Sequence, residues 1–138
     1  MKNKKSPLEN SFHYLSFRSR TEKEMRDYLK KKEVLEIDET IEKLKELDII
    51  NDNKFVQEFQ DSRSKNKPKG KKALMIELAR KGIKVNYLDI NEDELAKKSL
   101  LKKKVFKDRN QLQRFLYSRG FSSSVIERAV KAWYNSEE

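Results

Sequence analysis

Between residues 63 and 84 the chain carries nine basic side chains and one acidic one. Lys65, Lys67, Lys69, Lys71 and Lys72 lead on to Arg80, Lys81 and Lys84. Ammonium and guanidinium groups at this density suit one kind of chemistry, the neutralisation of phosphates or carboxylates with salt-sensitive affinity. A solvated flexible loop is the alternative for any single lysine, but a dense patch of one sign repels itself unless a partner neutralises it. Lys97, Lys98, Lys102, Lys103 and Lys104 form a second cluster on an expected helix. There the helical turn spreads Lys102, Lys103 and Lys104 around the axis, so only part of that cluster can face one ligand. Arg18, Arg20, Arg114 and Arg119 are further candidates. Each suits a partner contact or, equally, bonding to helix C-terminal carbonyls or pairing with a nearby glutamate such as Glu22 or Glu24.

Other chemistry is poorly provided for. With no cysteine and His13 as the single histidine, the chain offers no disulfide, no thiolate site and no His-rich metal site. Asp48 and Asp52 read as turn and cap residues rather than metal ligands. Three glycines leave little for a phosphate-cradling loop, and no nucleophile stands with a general base. The expectation is a non-enzyme with no catalytic residue, cofactor or metal. Phe115 and Trp133 fit apolar stripes and are expected in the core, whereas Tyr117 and Tyr134 stay open between packing and base stacking. Met1 to Asn10 has basic residues but no apolar run behind them, and no stretch approaches membrane-spanning length. A soluble cytoplasmic protein, with no membrane partner, is expected.

The elements that must position these groups come from a recurring spacing. Met25, Leu29 and Val34 recur 49 residues later as Leu74, Leu78 and Ile83, and 38 residues after that as Leu112, Leu116 and Phe121. Apolar residues at i and i+4 share a helix face, and a glycine followed by a hydrophobe, as in Gly82-Ile83 and Gly120-Phe121, ends a helix. Glu33 occupies the glycine position of the first copy, so a different closure is expected there, with a longer turn through Leu35 and Glu36. Thr21 with Glu24, Asn91 with Glu94 and Asp108 with Gln111 are spaced as capping boxes; Asp38, Asn51 or Asp52, and Ser122 or Ser123 supply the other starts. The expected order begins with a short helix over Phe12 to Phe17 and a helix over Thr21 to Lys31. A third carries the stripe Ile41, Leu44 and Leu47, and a fourth carries Phe55, Val56 and Phe59. A loop over 64–70 follows, then a helix ending at Gly82, a short one near Tyr87 and Leu88, and three more. This makes an all-α fold of nine helices in three helix-turn-helix-like units over 1–49 (with a basic N-terminal tail), 50–90 and 91–138. Charged residues are 41% and hydrophobic ones 36%, so each unit's core is thin and stacking must stabilise the array. Charge is uneven, net −5 over 22–61 against net +8 over 63–84 and +6 over 97–109.

Three ordered motifs then carry a resemblance. Leu15, Arg18, Arg20, Thr21 and Glu22 form an opening; Leu44 to Leu47 lead into Ile49-Ile50-Asn51-Asp52-Asn53-Lys54-Phe55; and Lys69-Gly70 is followed by Glu77-Leu78-Ala79-Arg80-Lys81-Gly82-Ile83. In this order, over about residues 12 to 134, the chain resembles the RecX family. The family has aspartate where Asn51 stands and glycine where Glu33 stands. The resemblance implies three tandem three-helix repeats in an elongated, curved array and a non-enzymatic modulator of the RecA recombinase in recombination, DNA repair and the SOS response. Its implied partner is the RecA filament on single- or double-stranded DNA, with weak binding to DNA alone, a monomeric state, and inhibition of filament growth, ATP hydrolysis and strand exchange. A helix-turn-helix-like DNA-binding regulator is the alternative, with Asn110, Gln111, Gln113 and Arg114 as the nearest to base-reading residues.

Overall fold

A computed structural model describes residues 6–135; the basic tail expected at residues 1–5 lies outside them. Eight helices follow in order: α1 (Pro7–Leu15), α2 (Glu22–Lys31), α3 (Ile37–Glu46), α4 (Asp52–Asn66), α5 (Lys71–Arg80), α6 (Glu92–Lys103), α7 (Arg109–Ser118) and α8 (Ser123–Asn135). No strand forms among the described residues, so the all-α class holds. The expected ninth helix near Tyr87 and Leu88 is absent. Residues 83–91 run without helix, a stretch where β-branched Ile83, Val85 and Ile90 alternate with Asn86 and Asp89, all weaker helix formers. Leu88, fully buried, and Ile83, buried just past the Gly82 turn, anchor this segment.

The starts follow local chemistry. The Thr21 hydroxyl accepts from Glu24 N (3.1 Å) while Thr21 N donates to the Glu24 carboxylate (3.0 Å), a complete capping box. Asn51, Asn91 and Asp108 each accept from a backbone N–H three residues on. Four expectations are corrected. The first helix starts at Pro7, because Ser6 caps it and proline suits a first turn. Asp38 is not a cap; it lies in the first turn of α3 and pairs with Arg26 at 2.7 Å. The helix α4 runs on through Asn66, leaving only 67–70 as loop. Leu47, expected inward, is half exposed beyond the last turn of α3.

The chain divides into two compact units, 6–57 with 80–83, and 58–79 with 84–135. The first closes on Met25, Leu29, Ile41, Leu44 and Ile50, with Tyr14, Tyr28 and Val34 packed alongside. In the second, Leu95, Leu100, Leu112, Leu116, Phe121, Val125, Ile126 and Val130 form the core, with Phe106, Phe115 and Trp133 against it.

A close approach recurs in each unit. In the first, the Thr21 hydroxyl donates to Lys81 O at 2.6 Å, and a Cβ on Gly82 would stand 2.4 Å from the Lys23 Cβ. In the second, Gly70 N donates to Arg119 O at 2.7 Å, and a Cβ on Gly120 would stand 2.4 Å from the Ala73 Cβ. The start of one repeat's helix thus seats on the left-handed turn that ends the next repeat's helix. Both glycines have positive φ, 88° and 85°, yet Glu33 adopts φ 58° at the equivalent place and Val34 N still reaches Leu29 O at 3.1 Å. The different closure expected there does not occur. Glycine is required at 82 and 120 by the approaching helix as well as by φ, whereas the exposed Glu33 meets only the cost of φ, about 1 kcal/mol.

We therefore expect Gly120→Ala to destabilise the fold by about 2–4 kcal/mol and Glu33→Gly to change it by no more than about 1 kcal/mol, in the stabilising direction. Urea unfolding followed by circular dichroism checks both; equal losses at the two positions would contradict the packing argument.

Candidate nucleic-acid interface

The second unit holds eighteen basic and nine acidic side chains among its described residues, the first twelve of each. All of the described excess of positive charge therefore lies in the second unit. It is concentrated by a loop that the sequence alone leaves unplaced. Ser99, buried on α6, donates to Pro68 O at 2.9 Å, and Lys102 donates to Asn66 O. Gly70 N bonds Arg119 O, and a Cβ on Gly70 would stand 2.2 Å from Gly120 O. Loop 67–70 is thereby laid between α6 and the C-terminal turn of α7.

The result is a cleft of about 680 Å³ lined by Lys67, Lys69, Lys102, Lys103 and Arg119, with Asn66, Pro68, Ser99 and Phe115 between them. No carboxylate lines it. Lys69 is held from outside by Glu77, at 2.7 Å, and the same carboxylate takes Arg63 at 2.9 Å. Burial pushes the Glu77 carboxyl up, but the Lys69 and Arg63 hydrogen bonds outweigh it and hold the group below the usual glutamate range. The other four cations have no ion pair among the described residues. Lys103 and Arg119 sit over the Phe115 ring, at 4.9 and 5.1 Å from its centre. Phe115, expected in the core, is partly buried and packs against it, and its ring also supports two cations of the cleft.

The sequence candidates thus separate, with Lys97 and Lys98 exposed on α6 outside the cleft. Lys67, Lys69, Lys102, Lys103 and Arg119 converge. Lys71, Lys72 and Lys84 line a different groove, described below. Arg114 lines a hollow along α7 and α8 with Arg109, Lys131 and Tyr134, where Arg109 lies 4.8 Å from the Tyr134 ring centre. Lys65 is exposed in the last turn of α4, and Lys104 caps α6 at φ 69°. Arg18, Arg20, Arg80 and Lys81 belong to the first unit. Arg18 pairs with Glu24 and donates to Ser19 O; Arg20 lies 3.8 Å from the Tyr14 ring, itself stacked on Tyr28 at 4.0 Å; Lys81 is 3.7 Å from Glu24. Exposed Arg80 shows no ion pair among the described residues. Sequence reasoning counted Arg63 and Arg109 within its charge runs without singling them out and did not name Lys131, because pairing with Glu77, stacking on Tyr134 and lining the hollow are set by the fold. Of the residues suggested for base reading, Gln111 accepts from Lys107 N and from that position closes the start of α7. Among the described residues no group of three or more acidic or histidine side chains could hold a metal, and no helix is long and apolar enough to cross a membrane.

Against known proteins, the model of the first three-helix domain of RecX matches residues 8–44 and that of the third matches 92–130, together more than half of the chain. The regulatory protein RecX of Oceanobacillus iheyensis is 32% identical over 145 residues, which is 93% of this chain and 53% of the relative. That of Listeria welshimeri is 32% identical over 140 residues, 94% of this chain and 50% of the relative. The chain spans about half the length of the curated relatives it matches. A crystal structure of RecX from Lactobacillus salivarius superposes with a TM-score of 0.75 at 27% identity, covering 91% of this chain and 93% of that one.

Because the folded pKa of Glu77 is depressed, the stability it contributes is complete above its unfolded pKa and is lost as pH falls through the folded one. We expect Glu77→Gln to cost about 1 kcal/mol at pH 7 and to flatten the fall in stability below about pH 5. Urea unfolding at a series of pH values measures this, and an unchanged acid limb would remove Glu77 as the anchor of Lys69.

Proposed function

The chain belongs to the RecX family, and from that premise we propose that it is a non-enzymatic regulator that binds the RecA filament on DNA and restrains filament growth, ATP hydrolysis and strand exchange. The observation that carries the reading is the basic cleft. Four cations without an acidic partner, drawn from loop 67–70, α6 and the end of α7, give a surface on which successive backbone phosphates neutralise charge that the fold leaves uncompensated. Arg119 and Lys103 over Phe115 are held in place without a carboxylate, so they meet a polyanion without first breaking an ion pair.

The count of cations also limits the interaction. About four phosphate contacts on a single strand give a salt slope near −3, modest beside proteins that grip DNA by eight or ten. Binding to DNA alone is accordingly weak, and contacts to the recombinase supply the remainder. The units proposed are 1–49, 50–90 and 91–138, working in the cytoplasm in recombination and DNA repair.

The test is RecA's DNA-dependent ATPase and strand exchange with the purified protein added. Lys67→Glu, Lys102→Glu and Lys103→Glu combined are expected to raise the concentration for half-inhibition by about tenfold or more, in proportion to the lost phosphate contacts. Circular dichroism checks that the variant is folded. If the unaltered protein left both activities unchanged at stoichiometric excess, the regulatory reading would fail; if the triple variant inhibited as well as the parent, the cleft would not be the contact.

A further inference from the structure

The repeat relation places Leu35, Lys84 and Ser122 at equivalent positions, one past the hydrophobe that closes each turn. Two of the three are polar. Leu35 is a leucine and is 96% exposed. On either side of it, exposed Glu33 and Glu36 form no ion pair among the described residues, and Glu33 holds a left-handed φ where the other copies have glycine. The first unit therefore presents an apolar knob between two unpaired carboxylates on this turn.

The second unit presents the opposite. A groove of about 1040 Å³ is floored by Met75, Ile76, Val85 and Phe121, and Ile76 is 45% exposed. Lys71, Lys72 and Lys84 line it, none in an ion pair among the described residues; Lys71 lies 5.2 Å from the Tyr87 ring centre, and Lys72 and Lys84 are exposed. Its one acid, Glu92, accepts from Lys71 N at 3.2 Å and closes the start of α5. The two exposed cations, Lys72 and Lys84, beside an apolar floor complement two unpaired carboxylates beside an exposed leucine in both charge and polarity.

We infer that the Glu33-Val34-Leu35-Glu36 turn of one copy seats in the α5 groove of another, so that copies associate head to tail. Because the two surfaces differ, the contact is heterologous, and a pair of copies keeps one free turn and one free groove. The monomer expected from the sequence is the dilute limit of this equilibrium. The inference goes beyond the regulatory reading and does not need it, since neither surface includes the basic cleft.

Sedimentation equilibrium of nucleic-acid-free protein at low salt, from about 5 µM to about 500 µM, reads the association, in the range of small transient interfaces. The weight-average mass is expected to climb above that of the monomer with concentration and to fall back in about 0.5 M salt. Leu35→Asp should weaken association at least about tenfold while leaving oligothymidylate binding at the basic cleft unaltered. Glu33→Lys with Glu36→Lys, and separately Lys72→Glu with Lys84→Glu, should each stay monomeric, while a mixture of the two variants should associate. A parent protein monomeric throughout would overturn the proposal, as would Leu35→Asp associating like the parent, or association only when oligothymidylate is added.

Discussion

A helix start seated on a left-handed turn is the contact on which the remaining structure depends. Each instance joins residues about fifty or sixty apart in the chain: Thr21 to Lys81 in the first unit and Gly70 to Arg119 in the second. The hydrogen bond itself is modest, roughly 1 kcal/mol net. Its importance is steric, because the backbones come so close that a single added Cβ at position 70, 82 or 120 would overlap a neighbour. The three glycines of the chain stand at these three positions and nowhere else. A highly charged sequence with a thin apolar core has little else with which to fix register, and close backbone approach fixes it without requiring more hydrophobic residues.

The cleft follows from the second of these contacts. The bond from Gly70 to Arg119 draws loop 67–70 against the end of α7, and Ser99 and Lys102 then tie the loop's carbonyls to α6. Three segments that are distant in sequence are brought together by bonds to backbone oxygens rather than by ion pairs. The cationic side chains are left over. In the first unit the same residue types are spent differently: Arg26 bridges Glu22 and Asp38, and Arg18 and Lys81 share Glu24 with the capping box. Equal numbers of acids and bases among its described residues let that unit pair its charges, and its arginines hold geometry.

Helices were legible in the sequence wherever a cap and an i, i+4 apolar pair coincided, as at Thr21 with Met25 and Leu29 or at Asp108 with Leu112 and Leu116. Residues 83–91 were misread because buried Leu88, beside Tyr87, resembles the start of a stripe, while the β-branched neighbours that oppose helix exert only weak preferences. Glu33 was misread for another reason. Sequence shows which residue lacks a Cβ but not which position has a neighbour pressing on it, and at 82 and 120 that neighbour makes glycine indispensable. The site was legible as two charge runs and illegible as one cleft. Convergence of Lys67 with Lys102 depends on Ser99 and Gly70, two small residues whose contribution is to bring backbone close.

Lys69 and Lys102 show how the fold separates structural from available charge. Both line the cleft, and both lie in dense basic runs. Lys69 is compensated by Glu77, so a phosphate arriving there competes with an existing carboxylate, whereas the Lys102 ammonium rests on a neutral carbonyl and keeps its full charge for a ligand. Glu77 is the single acid between residues 63 and 84, and by pairing with Arg63 and Lys69 together it removes two cations from competition and leaves the others clustered. A second acid in that stretch would stabilise the isolated protein by reducing self-repulsion, and would lower the field that attracts a polyanion by the same amount. The composition of residues 63–84 is thus a compromise between the two, with one carboxylate for the fold and most of the cations left uncompensated.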